Sequence, residues 1–110
     1  MRTRKEIDAQ VEAIVLRLRG ARWAADRSQA ECAEAVGLQR PAYTMIEQGR
    51  QKITVAQIIG LACFLTVPLD WLMAEDLYRI PTARWNPPFW ISFMQKIAAE
   101  ERSKRRIGVK

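Results

Sequence analysis

The stretch from Ser28 to Gly49 constrains this chain more than any other, because it sets two short helical patterns on either side of one glycine. The Ser28 hydroxyl can take up free backbone N–H groups at a helix start, and Cys32, Ala33 and Val36 follow at one-turn spacing, so a helix with one buried side is predicted. Gly37 ends it. A glycine just past a helix can adopt the left-handed backbone that turns the chain sharply, and Leu38 behind it can plug the corner. The next pattern buries Tyr43 and Ile46, three apart, while Arg40, Thr44 and Gln48 recur every four residues on the opposite, exposed side. Ala33 is small enough to let the two helices approach closely.

Helical patterns fill most of the remaining chain. Thr3 and Glu6 have capping-box spacing, and Ile7, Val11, Ile14, Val15 and Leu18 recur at helical period, predicting a first helix over Arg4–Ala24. Thr54 opens another, with Val55, Ile58, Ile59, Ala62 and Leu65 as buried positions, and Leu69, Leu72 and Met73 belong to a short fifth. The run Ile80-Pro-Thr-Ala-Arg-Trp-Asn-Pro-Pro88 reads as an extended linker, since each proline disfavours helix at the residue before it. Asn86 then caps a last helix with Pro87 in its first turn. With 110 residues, 49% of them apolar, there is material for one modest core and an appendage. Residues 1–78 form the expected domain, and 79–110 a proline-containing linker with an amphipathic, basic helix.

The formal charge of +6 and a pI near 9.9 favour a polyanionic partner, but the charge is unevenly placed. Residues 1–27 carry a net +3, residues 28–53 are neutral, 54–76 carry −3, and 77–110 carry +6. The central pattern itself is therefore neutral, so attraction to phosphate must come from a few placed residues and the flanks. Cys32 and Cys63 fall at apolar-periodic positions and read as small buried hydrophobes, with no disulfide expected. The amino terminus lacks the apolar core of an export signal and Ile53–Leu69 does not read as a membrane span, so a cytoplasmic protein away from membranes is expected.

Ser28-Gln29, the Cys32-Ala33 pair, Gly37, Leu38 and Ile46-Glu47-Gln48-Gly49 together resemble the Cro/repressor-type (XRE-like) helix-turn-helix family. The likeness runs on through Thr54 to Val67-Pro-Leu-Asp-Trp-Leu72, and back to about Ile14. It implies an all-α fold, a five-helix lambda-repressor-like domain, here with an additional C-terminal helix. There are departures. Gln39 stands where the family usually has a capping Ser or Thr, which weakens the start of the recognition helix unless Gln39 serves for contact. Ala21 and Arg27 replace larger apolar residues, and Trp23 is expected to fill the space that Ala21 leaves.

The resemblance implies that the second motif helix enters the major groove of DNA, which gives base contacts to Gln39, Arg40, Pro41 and Thr44. Arg40 has the donor fork for guanine O6 and N7, Gln39 could pair adenine, Pro41 offers only apolar contact, and the Thr44 methyl could meet a thymine methyl. The alternative for Arg40 is contact with phosphate. Gln29 resembles the family's phosphate-contacting glutamine at a helix start, and Arg50 and Lys52 look like phosphate clamps on the loop that follows. The resemblance pairs Arg22 with Glu47 as a structural ion pair, and Tyr43 is expected in the core with its hydroxyl at the rim near DNA. In the last helix Trp90, Phe93, Met94 and Ile97 are more aromatic than a small monomer's core can cover. They are expected at a dimer interface, with packing onto the chain's own first helix as the alternative and docking on a membrane surface as the remaining one.

The chain has no histidine, no phosphate-cradling glycine pattern and no cysteine pair at metal spacing, which leaves enzymatic chemistry and cofactors without support. The expectation is a homodimeric, sequence-specific regulator of transcription, a repressor bound to double-stranded operator DNA. Two alternatives stay open. One is an antitoxin that regulates its own promoter and covers a toxin with its C-terminal segment; the other is a protein-interaction module that has lost DNA binding.

Overall fold

The computed structural model describes residues 3–73 and 88–108. Among them the elements are all helices: α1 (Arg4–Ala24), α2 (Gln29–Ala35), α3 (Arg40–Glu47), α4 (Val55–Leu65), α5 (Leu69–Leu72) and α6 (Pro88–Gly108). The linker, the division at residue 78 and the Asn86–Pro87 cap lie outside the described residues.

Local chemistry sets where these helices begin. The Thr3 hydroxyl accepts from the Glu6 N–H at 3.1 Å. At Ser28 and at Thr54 the box is reciprocal: each hydroxyl accepts from the third helical N–H, and the Glu31 or Gln57 side chain accepts from the cap N–H in return. α3 lacks such a cap. Gln39 holds the cap position without a side-chain bond, and Pro41 pre-sets the backbone of the first turn instead.

The exits share one closure. After α2, Gly37 takes φ +70°, its N–H donates to the Glu34 carbonyl at 3.1 Å, and the Leu38 N–H reaches Ala33 at 2.8 Å. After α3, Gly49 does the same at φ +76°, with Arg50 bonding back to Met45 at 2.9 Å. Asp26 after α1 and Thr66 after α4 repeat the turn without a glycine, at φ +56° and +58°. For Thr66 this is costly, because a β-branched side chain crowds the left-handed backbone.

Ile14, Leu18 and Ala21 of α1 meet Cys32 and Ala33, Tyr43, Ile58, Leu61, Ala62 and Leu65, and Trp71 and Leu72 in one buried cluster. Arg17 also lies there, 1% exposed, with its Nη1 donating to the Leu72 carbonyl at 3.0 Å, so that a charged side chain satisfies the end of α5. Three expectations need correction. Val55 is 69% and Ile59 46% exposed, because α4 turns the 58, 61, 62, 65 stripe inward and leaves those two beside it. Cys63 is exposed for the same reason. Trp23 is 40% exposed and stands against Phe93 of α6, ring centroids 5.8 Å apart, rather than filling space at Ala21. Arg27, at its unusual position, lays its guanidinium over the Phe64 ring at 5.2 Å and bonds Glu31 at 2.9 Å, covering apolar surface as a larger hydrophobe would.

α6 packs on α1. Phe93 is 3% exposed within its own chain, Met94 and Ile97 are partly buried on the same cluster, and Phe89 meets Trp71 edge to face at 5.9 Å. The expected dimer interface is thus corrected for Phe93, whose surface is used up inside the subunit; the Trp90 side chain lies outside the described residues. Phe93→Ala should lower stability in urea by about 3 to 5 kcal/mol, as for other buried Phe truncations. A loss under about 1 kcal/mol would mean that α6 is not part of this core. Thr66→Gly should raise stability by about 0.5 to 1 kcal/mol through relief of the left-handed strain. A lower melting temperature would contradict that.

Candidate nucleic-acid interface

Where α2 crosses α3, polar side chains join in one relay beneath the outer face of α3. Arg22 of α1 grips Glu47 with two parallel bonds, Nε to Oε2 at 2.7 Å and Nη2 to Oε1 at 3.1 Å. Its third nitrogen donates to the Arg27 carbonyl at 3.1 Å. Gln29 donates its amide to Glu47 Oε1 at 3.0 Å, and the Thr44 hydroxyl donates to Gln29 Oε1 at 2.7 Å. The side chain of Glu47 is only 5% exposed, that of Arg22 22%, so the pair is shielded enough for its geometry to count. Burial alone would lower the Arg22 pKa, but the bond and charge of Glu47 raise it overall.

The ion pair expected between Arg22 and Glu47 is therefore present. The Gln29–Thr44 portion of the relay has no counterpart among the expectations, and it changes what both residues offer. Gln29 is half-buried and occupied at both ends of its amide, which leaves one N–H for any phosphate. Thr44 is half-buried with its only O–H proton already given away, so what it retains for a base is its methyl and oxygen lone pair. The spacing of 29, 44 and 47 alone carries no signal for this; it emerges from the crossing of α2 over α3.

Tyr43 also departs from expectation. It is 1% exposed and its hydroxyl is enclosed, near Glu47 and Cys32 rather than at a rim. Burial, with the Glu47 charge beside it, pushes the phenol far above its ordinary value, and burial likewise raises the Cys32 thiol. Neither group ionises at neutral pH, so neither offers a nucleophile.

Gln39, Arg40 and Pro41 are exposed at the start of α3, where no side chain covers the first-turn N–H groups. Arg50 and Lys52 are exposed on the loop after Gly49. That loop forms one wall of an open groove of about 770 Å³; the other wall is α1, from Arg4 to Arg19. The structure thus gathers Gln39, Arg40, Pro41 and Thr44 on one short helix, with Gln29 beside them and two cations beyond. No cluster of metal-ligating side chains occurs among the described residues, and no described helix is long and apolar enough to cross a membrane.

A family model described as helix-turn-helix matches the chain over residues 18–72. No curated protein and no solved structure matches it. The matched span holds every member of the relay, and removing the carboxylate tests it. Glu47→Ala should cost about 3 kcal/mol in urea unfolding, near the low end for a broken buried pair because Arg22 retains some water contact. A loss under about 1 kcal/mol would show that the relay holds nothing in place.

Proposed function

Because the chain belongs to the Cro/repressor-type helix-turn-helix family, a family of DNA-binding regulators, we propose that it is a sequence-specific transcriptional repressor that reads the major groove through residues 39–48. The observation that carries this reading is the exposed start of α3, Gln39-Arg40-Pro41, on a helix held from behind by Arg22, Glu47, Gln29 and Thr44. A reading helix must be rigid and bare on its outer side.

The roles divide by chemistry. Arg40 presents the fork that matches guanine O6 and N7, Gln39 the amide that matches adenine, while Pro41 and the Thr44 methyl supply apolar contact. Arg50, Lys52 and the remaining N–H of Gln29 position the backbone without reading sequence. Two copies on a two-fold operator double these contacts and fix their spacing, and this pairing uses surface other than Phe93. The protein works without a cofactor, in the cytoplasm, on double-stranded DNA.

Selection of bound oligonucleotides followed by titration across a salt series tests this. Selected DNA should bind at least ~10³ more tightly than random DNA, with affinity falling steeply as salt rises. Arg40→Ala should cost about 1 to 3 kcal/mol and relax discrimination at one base pair. Lys52→Ala should weaken selected and random DNA alike and flatten the salt slope by about 1. Affinity that is independent of salt would overturn the reading.

A further inference from the structure

α4 has no polar side. None of its eleven residues is charged, and the Gln57 amide is turned back to accept from the Thr54 N–H at 2.9 Å. Ile58, Leu61, Ala62 and Leu65 fill the core, yet Val55, Ala56, Ile59 and Cys63 are exposed, Val55 at 69% and Ile59 at 46%. Val55, Ile59 and Cys63 recur every four residues, which lines them up as one ridge along the outer side of the helix. A helix that is apolar all round belongs in an interior, so an apolar ridge left in water marks a contact surface.

Charge narrows what can cover it. Between Lys52 and Asp70 no residue is charged, so the ridge offers nothing to phosphate or to a charged peptide. Each copy of the chain carries +6 overall, which opposes self-association. Two copies meeting at this ridge bring no like charges together, so here that opposition is least. The ridge is also suited to meeting itself. A two-fold contact needs one patch that complements its own copy, and rows spaced by four interdigitate with rows spaced by four at a crossing of about −50°.

The place along the chain agrees with this partner. Val55 is three residues beyond Lys52, so the ridge begins within about 11 Å of the phosphate-clamp loop. Two copies joined there hold their clamp loops on either side of one seam, as paired half-sites require.

We propose that the ridge of Val55, Ile59 and Cys63 on α4 is the surface through which two copies of this chain pair, with Ile59 at the centre of the two-fold contact. The purpose of the pair rests on the DNA-binding reading above, but the contact forms without DNA and is tested without it.

Sedimentation equilibrium of the full chain should give a mass that rises with concentration from monomer to dimer. Ile59→Asp should raise the dimer dissociation constant at least ~30-fold, as for a residue at the centre of an interface. Ile7→Asp, at an exposed hydrophobe of α1, should leave it unchanged. Because Ile59 is already 46% exposed in the subunit, its replacement spares the core, and unchanged helicity by circular dichroism verifies that. A second variant needs no loss of stability to be read. Ile59→Cys combined with Cys63→Ser should give a disulfide-linked dimer on mild oxidation, since the two-fold contact sets the introduced thiols opposite each other, while Cys32, 0% exposed, takes no part. A monomeric mass at every concentration would overturn the proposal, and so would an Ile59→Asp chain that pairs like the wild type or a dimer that yields no cross-link. A chain that pairs through Ile59 but binds selected and random DNA alike would overturn the regulator reading and leave the interface standing.

Discussion

The grip of Arg22 on Glu47 is the interaction on which the rest of this structure depends. A carboxylate with 5% of its side chain exposed is tolerable only because a forked cation meets both its oxygens and an amide takes up a further lone pair. The pair joins α1 to the end of α3 across 25 residues of sequence. Gln29 brings in α2, and Thr44 closes the relay back onto α3. Three helices are thus cross-linked by directional bonds behind the outer face of α3. Apolar packing through Tyr43 and Ile46 buries the same seam, and the polar relay adds directional bonds to it.

α6 brings two described aromatic rings to the head: Phe93 meets Trp23 of α1 at 5.8 Å and Phe89 meets Trp71 of α5 at 5.9 Å. The first helix therefore serves two partners, presenting Ile14, Leu18 and Ala21 to the head and Trp23 to α6. Further along α6 the exposed Lys96–Glu100 pair contributes little to stability, because both groups stay in water.

Much of this was legible in the sequence where a local rule sufficed. α1 runs from Arg4 to Ala24 as its spacing predicts, Ser28 and Thr54 cap as expected, and Gly37 turns the corner. The Arg22–Glu47 pair follows from the family pattern rather than from any spacing. What was not legible depends on how helices cross. Val55, Ile59 and Cys63 share a period with buried neighbours and still face outward, because a helix packed on one side hides a narrower stripe than hydropathy suggests. Phe93 had two possible covers of equal apolar character, and only the tertiary placement of Trp23 chose between them. The double engagement of Gln29 needed the side-chain geometry of three helices at once.

The contact between Trp23 and Phe93 spans 70 residues of chain, whereas every bond that orients α3 lies between Arg22 and Glu47. Chains are made from the amino end, and short-range closure is quicker than long-range closure. The bonds that orient α3 therefore close over at most 25 residues of chain, whereas seating the last helix on α1 needs a closure nearly three times as long.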